Sequence, residues 1–178
     1  MTPHPSEQFE IRTAKPEEYE PLGRMTVDIY QALPGMPGPK EQPGYYAMLL
    51  DTAGRAVVPF VEIPVAVTPD GTLLGGVTFV GDMRYYNSGG SAPTVPNASG
   101  IRLLAVRDDT RNLGVGKALT RFCIQLAREL GRSQVLLHTT RSMEIAWGMY
   151  ERMGFQRFPE IDFSQRDLEV FGFFIALH

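Results

Sequence analysis

LLAVRDDTRNLGVGKAL, residues 103–119, is the stretch of sequence that decides the fold. It begins as an apolar strand, passes through a turn with Gly114 and Gly116, and continues into a helix with one apolar face. The first N–H groups of such a helix have no partner inside it, and the helix dipole places partial positive charge there. Because glycine has no Cβ, a ligand can approach this backbone closely. The stretch therefore predicts a cradle for an anion, most naturally a phosphate group.

Three glycine-rich patterns can be compared with this turn. A P-loop needs GxxxxGK followed by Ser or Thr, but Lys117 is followed by Ala118, and Arg111 stands where the first glycine belongs. The dinucleotide-binding pattern needs a third Gly or Ala where this chain has Leu119, so a nucleotide-binding α/β domain stays only as an alternative. The third pattern, Arg-x-x-Gly-x-Gly, is present at 111–116.

The composition is that of a globular protein. The chain has 178 residues, of which 43% are hydrophobic and 21% charged, so it carries enough apolar surface to offset the entropy of ordering. It has no run of 18 apolar residues, and MTPHPSEQFEIR lacks the features of a secretory signal. The single Cys123 excludes an intrachain disulfide and a multi-cysteine metal site. We expect one domain over 1–178 with its core at 8–177, in the cytoplasm, with no membrane association and no metal.

The charge distribution is uneven. The net charge of −3 argues against a general nucleic-acid binder. Between residues 102 and 132, however, the chain has seven basic residues and only three acidic ones. The basic residues are Arg102, Arg107, Arg111, Lys117, Arg121, Arg128 and Arg132. This run is interpreted either as a solvated helix face or as a local site for a multiply charged anion.

Hydrophobic periodicity predicts a mixed α and β chain on both sides of the glycine turn. Strands are predicted at 8–12, 61–67, 72–80, 101–106, 134–140 and 169–177. Helices are predicted from Pro16 to about Leu33, over 45–51, from Val115 to Gly131, and over 143–153 with Gly154 as the C-cap. Pro21 is expected to remove a backbone bond and kink the first helix, and Pro64 to favour an edge or bulged strand.

The glycine turn and three further segments resemble the GCN5-related N-acetyltransferase (GNAT) family. AWGMYERMGF at 146–155 is similar to a family signature, and EIRTAKPEEYEPL at 10–22 and VTPDGTLLGGV at 67–77 stand where the family has its first strand, first helix and a hairpin. The resemblance covers most of 8–177 and is least specific at 34–60 and 81–98. It implies an α/β (α+β) acyl-CoA N-acyltransferase fold, with a mixed, mostly antiparallel sheet of about six to seven strands flanked by helices.

The resemblance also implies an activity. The expected enzyme is an acetyltransferase that moves an acetyl group from acetyl-CoA to a primary amine of a small molecule or peptide, by direct attack on the thioester. The alternative is a silent module of the same fold that binds or senses acyl-CoA. Homodimers are common in the family, and the apolar tail at 169–177 is a candidate strand for such an interface.

The residues implied to bind coenzyme A follow from the family motif. The diphosphate is held by the backbone of the turn, which carries over to Arg111, Asn112, Leu113, Gly114, Val115, Gly116, Lys117 and Ala118. The pantetheine arm pairs with the splayed strand at Leu104, Ala105 and Val106. Tyr150 is the implied general acid for the departing thiolate, and Trp147, one turn earlier, is a candidate contact of the cofactor.

Two positions depart from the family pattern. The asparagine that contacts the pantetheine arm is replaced by Met143, for which Ser142 is a candidate substitute. The glutamate that acts as a base is missing, because Ser99 and Gly100 stand near its position. The identity of the base is therefore open.

His138 and Glu62 are the candidate replacements for the missing base, since each lies on a predicted strand and carries a group that can accept a proton. The common alternative is that both are packed or solvated residues without a catalytic role.

The acceptor is expected to bind between the loops at 34–46 and 81–98. The residues noted there are Tyr30, Met36, Tyr45, Tyr46, Tyr85 and Tyr86. They predict either an aromatic cleft for a cationic amine or ordinary aromatic anchors of two loops.

Overall fold

Nine strands and five helices follow one another along residues 8–178 of the computed structural model, the part of the chain that the structure describes. The first half contains β1 (Glu10–Thr13), α1 (Tyr19–Gln31), α2 (Pro43–Leu50), α3 (Thr52–Ala56), β2 (Val61–Glu62), β3 (Pro64–Val67) and β4 (Leu73–Val80). The second half contains β5 (Ala98–Val106), α4 (Val115–Glu129), β6 (Gln134–Thr139), α5 (Glu144–Arg152), β7 (Gln156–Arg157), β8 (Phe163–Gln165) and β9 (Leu168–Ala176). Residues 1–7, which carry most of the segment tested for a secretory signal, lie outside this range.

The strands form a mixed sheet in the order β1-β3-β4-β5-β6-β9-β7, with β2 beside β4 and β8 beside β9. The strands β5 and β6 are parallel, and the other paired strands are antiparallel. The predicted α+β fold with a mostly antiparallel sheet is confirmed. As expected, the apolar tail enters the sheet interior, where β9 lies between β6 and β7.

The central strands β5 and β6 separate partway along their length. Their pairing runs only from Ala98–Gln134 to Ile101–Leu137, and the rest of β5 has no partner on β6. On its other edge, β5 stays paired with β4 as far as Val106. The splayed strand that the resemblance implied is therefore present, and it leaves one backbone edge of β5 open before the glycine turn.

A β-bulge at Leu103 changes which side chains of β5 face each side of the sheet. Leu103 has a φ of +57°, which is rare for a residue with a side chain, and two residues of β5 there oppose one residue of β4. As a result, Ile101, Leu104 and Val106 all pack in the α4 core, whereas Leu103 packs in the cluster of α1 and α2. Strict alternation would have placed Leu104 on the other face.

The core lies between α4 and the sheet, and the apolar face predicted for α4 forms it. Val115, Leu119 and Cys123 are fully enclosed there. Full burial of a side chain such as that of Leu119 contributes about 1.5–3 kcal/mol. Burial also raises the pKa of the Cys123 thiol, which fits its predicted role as a core residue.

Two expectations about proline are wrong. Pro21 is the third residue of α1, where an N–H group has no partner inside the helix, so no helical bond is lost. Pro64 lies in β3, which is an internal strand between β1 and β4. It is tolerated because it is the first residue of that strand.

No helix within residues 8–178 is both long and apolar enough to span a lipid bilayer. In the same range, no group of three or more His, Cys, Asp and Glu side chains is arranged to hold a metal ion.

Candidate active site

The turn between β5 and α4 presents unpaired backbone donors. A short 3₁₀ helix over Asp108–Leu113 leads into Gly114, which has a left-handed φ of +78° and is the N-cap of α4. The first backbone bond at this end runs from the Ala118 N–H to the Gly114 carbonyl, 3.0 Å away. Within residues 8–178, the N–H groups of Val115, Gly116 and Lys117 have no acceptor, and no side chain caps the helix. Three donors at the positive end of a helix dipole therefore point outward together.

The two glycines keep the space around these donors open. A Cβ on Gly114 would meet no atom within 4 Å, but its positive φ favours glycine. A Cβ on Gly116 would point towards Met149, Val106 and Leu104, at 3.4, 3.6 and 3.8 Å. A larger side chain at Gly116 would therefore extend into the space between β5 and α5.

That space is a cleft of about 660 Å³ between α1, β5, the glycine turn and α5, here called the turn cleft. The predicted coenzyme A residues that line it are Leu104, Val106, Arg111, Asn112, Gly114, Gly116, Lys117 and Ser142. Met143, which stands at the family's asparagine position, lines it as well. Ala105 and Val115 are buried, and the side chains of Leu113 and Ala118 do not line the cleft.

The lining of the turn cleft carries three cations and two carboxylates, those of Asp108 and Glu144. The guanidinium of Arg111 pairs with Asp108 at 2.5 Å on the surface, where such a pair contributes about 0–1 kcal/mol and exchanges easily. Lys117 is the second cation. The third, Arg152 of α5, was missed by the sequence analysis, although it lies inside the AWGMYERMGF segment. Of the seven basic residues in the 102–132 run, only Arg111 and Lys117 reach this cleft.

Tyr150 lies behind the turn cleft rather than on its wall. Its side chain is 5% exposed, belongs to the α4 core, and packs edge-on against Phe155 with ring centroids 5.5 Å apart. The hydroxyl has no hydrogen-bond partner among residues 8–178. In that range, every fully enclosed polar atom of a side chain has such a partner, so this unpaired oxygen is not fully enclosed. Burial raises the pKa of this phenol above its ordinary value.

Trp147, the other aromatic residue predicted on α5, lies away from the cleft. Its ring packs edge-on against Phe171 and Phe173, with centroids 5.4 and 4.8 Å apart, and the guanidinium of Arg141 lies over it at 4.3 Å. The indole N–H donates to Glu151. The structure therefore places Trp147 among aromatic core residues and does not bring it to the turn cleft.

The place of the missing glutamate is filled by an aromatic ring. A Cβ on Gly100 would lie 2.4 Å from the ring of Tyr86, and the neighbouring Ser99 is fully buried and donates to the Gly81 carbonyl at 3.1 Å. Tyr86 in turn is hydrogen-bonded to His138 at 3.0 Å. No carboxylate therefore occupies the position that the family resemblance pointed to.

Neither of the two candidate bases is available in the turn cleft. Both ring nitrogens of His138 are engaged, one by Tyr86 and one by the Ile161 carbonyl at 2.8 Å. Burial lowers the pKa of this imidazole, which keeps it neutral. Glu62 is exposed on β2, accepts a bond from Thr13 at 3.3 Å, and does not line the turn cleft.

A second cleft, of about 620 Å³ and here called the loop cleft, lies between the two loops predicted to bound the acceptor. Its lining comprises residues 42–45, Met48, residues 87–89, Arg102 and residues 163–166. Strand β8 and the following Arg166, at 163–166, were not foreseen as part of it. Arg102 was noted in the sequence only as one member of a basic run.

The tyrosines noted in these loops do not form one aromatic wall. Only Tyr45 lines the loop cleft, and Tyr30 lines the turn cleft instead. Tyr46 and Tyr86 are buried, with hydroxyls bound to the Pro37 carbonyl at 2.7 Å and to His138. Tyr85 stacks on Phe60, with ring centroids 6.0 Å apart. Most of these residues are therefore anchors of the loops.

Comparisons with known proteins agree with this geometry. A model of the acetyltransferase (GNAT) family matches residues 26–155. The chain is 39% identical over 54 residues to N-acetyltransferase 8B of Homo sapiens; the match covers 30% of this chain and 24% of the human protein, so it spans about a quarter of that relative.

Solved structures extend the likeness to the whole fold. An acetyltransferase of the GNAT family from Staphylococcus aureus Mu50 superposes with a TM-score of 0.72 at 17% identity, covering 96% of this chain and 99% of that one. A GCN5-related N-acetyltransferase from Kribbella flavida does so with a TM-score of 0.68 at 20% identity, with the same coverage.

Proposed function

Because this chain belongs to the acetyltransferase (GNAT) family, we propose that it transfers an acetyl group from acetyl-CoA to a primary amine of a small acceptor, by direct attack of the amine on the thioester. The proposal treats residues 1–178 as one catalytic domain with its core at 8–177. When bound, acetyl-CoA supplies the acetyl group in activated form.

The observation that carries this proposal is the set of three uncapped N–H groups at the start of α4. A diphosphate is a compact double anion, and donors at a helix N-terminus bind such groups without further help. Arg111 and Lys117 on the same lining add positive charge, and Arg152 approaches from α5. These residues fit the diphosphate end of acetyl-CoA.

The open edge of β5 fits the pantetheine arm. Between Leu104 and Val106 the strand has no partner on the β6 side, so its free N–H and C=O groups can pair with the amides of an extended ligand. The Tyr30 hydroxyl donates to the Leu104 carbonyl at 3.3 Å and holds this edge in place. That carbonyl keeps a second lone pair.

Tyr150 fits the role of the acid that protonates the departing thiolate. Its proton is not committed to any acceptor among the described residues, and its raised pKa keeps the phenol protonated at neutral pH. The chain offers no free base at Ser99, Gly100, His138 or Glu62. We therefore propose that the acceptor amine reacts in its neutral form and releases its proton to water.

The test combines binding with turnover. Titration calorimetry with acetyl-CoA should show one site per chain, and release of free thiol should follow when amines are added. A suitable panel is the twenty common amino acids, their primary amides and simple polyamines. Binding of acetyl-CoA without thiol release from any amine would contradict the proposed activity, and absence of binding would contradict the proposed site.

A further inference from the structure

The loop cleft is positively charged. Its lining includes two arginines, Arg102 and Arg166, and no aspartate or glutamate. The remaining polar side chains carry amides and hydroxyls, namely Gln42, Tyr45, Asn87, Ser88, Ser164 and Gln165. A cleft with this lining attracts an anion and repels a second cation.

Arg102 is the charged group best placed to bind such an anion. Its Nη1 donates to the Tyr86 carbonyl at 2.8 Å, and its guanidinium lies over the Tyr86 ring at 5.4 Å from the centroid. These two contacts fix the guanidinium plane. Within residues 8–178, no carboxylate lies within ion-pair distance of it, and its Nε and Nη2 have no acceptor. A partly buried guanidinium with unpaired donors is well suited to a planar anion.

A second arginine raises the positive potential beneath the cleft. Arg55 lies under α2, where it donates to the Leu49 carbonyl at 3.3 Å, to Met48, and to Thr78 at 3.2 Å. Burial, and then the positive charge of Arg102, lower the pKa of its guanidinium to about 10. Asp51 acts on Arg55 in the opposite direction but does not cancel these two effects. A bound anion would stabilise the two neighbouring cations further.

The position of Arg102 places this anion near the reaction. Arg102 lies on β5 two residues before Leu104, which lines the turn cleft, and two residues span at most roughly 7 Å, because the bulge at Leu103 shortens the strand. Between the two clefts, Tyr45, Met48 and Met143 pack in the same apolar cluster. An acceptor in the loop cleft can therefore place one end at Arg102 and its amine towards the open edge of β5.

We propose, on the premise of the acetyltransferase activity above, that the acceptor is a small amino acid-like amine whose carboxylate is bound by Arg102. The carboxylate pairs with the free Nε and Nη2 donors in the two-pronged arrangement that guanidinium favours. The cavity volume is that of a site for a small molecule. Of the tyrosines considered for a cationic amine, Tyr85 and Tyr86 do not line the loop cleft, and their rings lie under the guanidinium groups of Arg84, at 5.7 Å, and Arg102.

The first experiment needs no variant. Thiol release is measured for each amino acid and for its primary amide at a pH where both amines are neutral, so that the negative charge is the main difference within each pair. Loss of one contact between arginine and a carboxylate typically lowers affinity about tenfold to a hundredfold. We expect kcat/KM of the best amino acid to exceed that of its amide by at least about tenfold.

The second experiment tests Arg102 itself. Arg102→Gln should raise KM for the amino acid, leave KM for the amide unchanged, and bring the two kcat/KM values to within about threefold. Binding of acetyl-CoA, measured by calorimetry, should not change. Arg84→Gln is the matched control, because Arg84 also stacks on a tyrosine but is exposed and does not line the cleft. It should leave the preference intact.

The outcomes separate this inference from the proposed activity. Equal use of acids and amides by the wild type, or an unchanged preference in Arg102→Gln, overturns the role of Arg102 but leaves the acetyltransferase. Absence of acetyl-CoA binding, or of thiol release from every amine, overturns both. If Arg102→Gln does not fold, the comparison of acids with amides in the wild type decides.

Discussion

The hydroxyl oxygen of Tyr86 lies 3.0 Å from Nδ1 of His138. On the other side of the imidazole, Nε2 faces the Ile161 carbonyl at 2.8 Å, and a carbonyl can only accept. Nε2 therefore carries the hydrogen, and Nδ1 accepts from the tyrosine. This pair holds the Tyr86 ring over Gly100, so the position that a catalytic glutamate would take is closed by packing.

Gly100→Ala should destabilise the protein. The added Cβ would lie 2.4 Å from the Tyr86 ring and 2.9 Å from the sulfur of Met83, both of which are buried. Overpacking of this kind costs about 1–3 kcal/mol, which lowers the melting temperature by roughly 2–4 °C per kcal/mol in a chain of this size. Gly44→Ala is the control, because its Cβ meets no atom within 4 Å. Equal melting temperatures for the two variants would contradict the packing.

His138→Gln should remove a pH dependence of stability. Burial lowers the pKa of His138 in the folded chain, whereas in the unfolded chain the pKa has its ordinary value of about 6.5. Below about pH 6.5 the unfolded chain therefore binds more protons than the folded chain. Wild-type stability should therefore fall as the pH drops from about 7 to 5, by up to about 1.4 kcal/mol per pH unit. Denaturant unfolding gives the free energy of unfolding of the wild type and of His138→Gln at each pH. The difference between the two values isolates His138, because the contributions of the other titratable groups cancel. A difference that stays constant with pH would argue against a buried neutral imidazole.

Gly116→Val should weaken acetyl-CoA binding. Its branched side chain would enter the turn cleft beside Leu104, Val106 and Met149. We expect at least about a tenfold rise in Kd by calorimetry, equivalent to about 1.4 kcal/mol. Gln125→Val puts the same branched residue on the exposed face of α4 and serves as the control for helix stability. Unchanged affinity in Gly116→Val would place the ligand elsewhere.

Tyr150→Phe should slow turnover without weakening acetyl-CoA binding. Loss of a general acid typically lowers kcat by about 10²-fold or more. Tyr46→Phe removes a hydroxyl that is bound to the Pro37 carbonyl, and it should leave kcat unchanged. Comparable kcat values for the two variants would refute the acid role.

The pH profile provides a second readout for Tyr150. Burial raises the pKa of the Tyr150 phenol above the ordinary tyrosine value of about 10. Loss of this proton should therefore not reduce activity at any pH below about 10. Activity should instead rise with pH until the acceptor amine is neutral. A fall in activity at pH 8–9 that disappears in Tyr150→Phe would show an acid with a lowered pKa.

The elements around the site were predictable because their signals are local. The glycine turn, the apolar face of α4 and the end of α5 each depend on residues within a few positions of one another, although the C-cap of α5 is Met153 and the predicted Gly154 follows it with a positive φ. The positive φ at Leu103 was not predictable, since an apolar residue in an apolar strand carries no signal for a bulge. Trp147 illustrates the same limit, because its spacing on α5 fits both the cleft and the aromatic core that it actually joins.

By itself, the sequence determined that a strand ends at a glycine turn with free helical donors, which predicts an anion cradle. Only the tertiary structure decided what surrounds it: Arg102 faces the loop cleft, Tyr86 closes the space over Gly100, and Tyr150 lies in the core. The reason is physical. Turn and helix signals come from neighbours along the chain, whereas these placements depend on strand register and on loops that are brought together from distant segments.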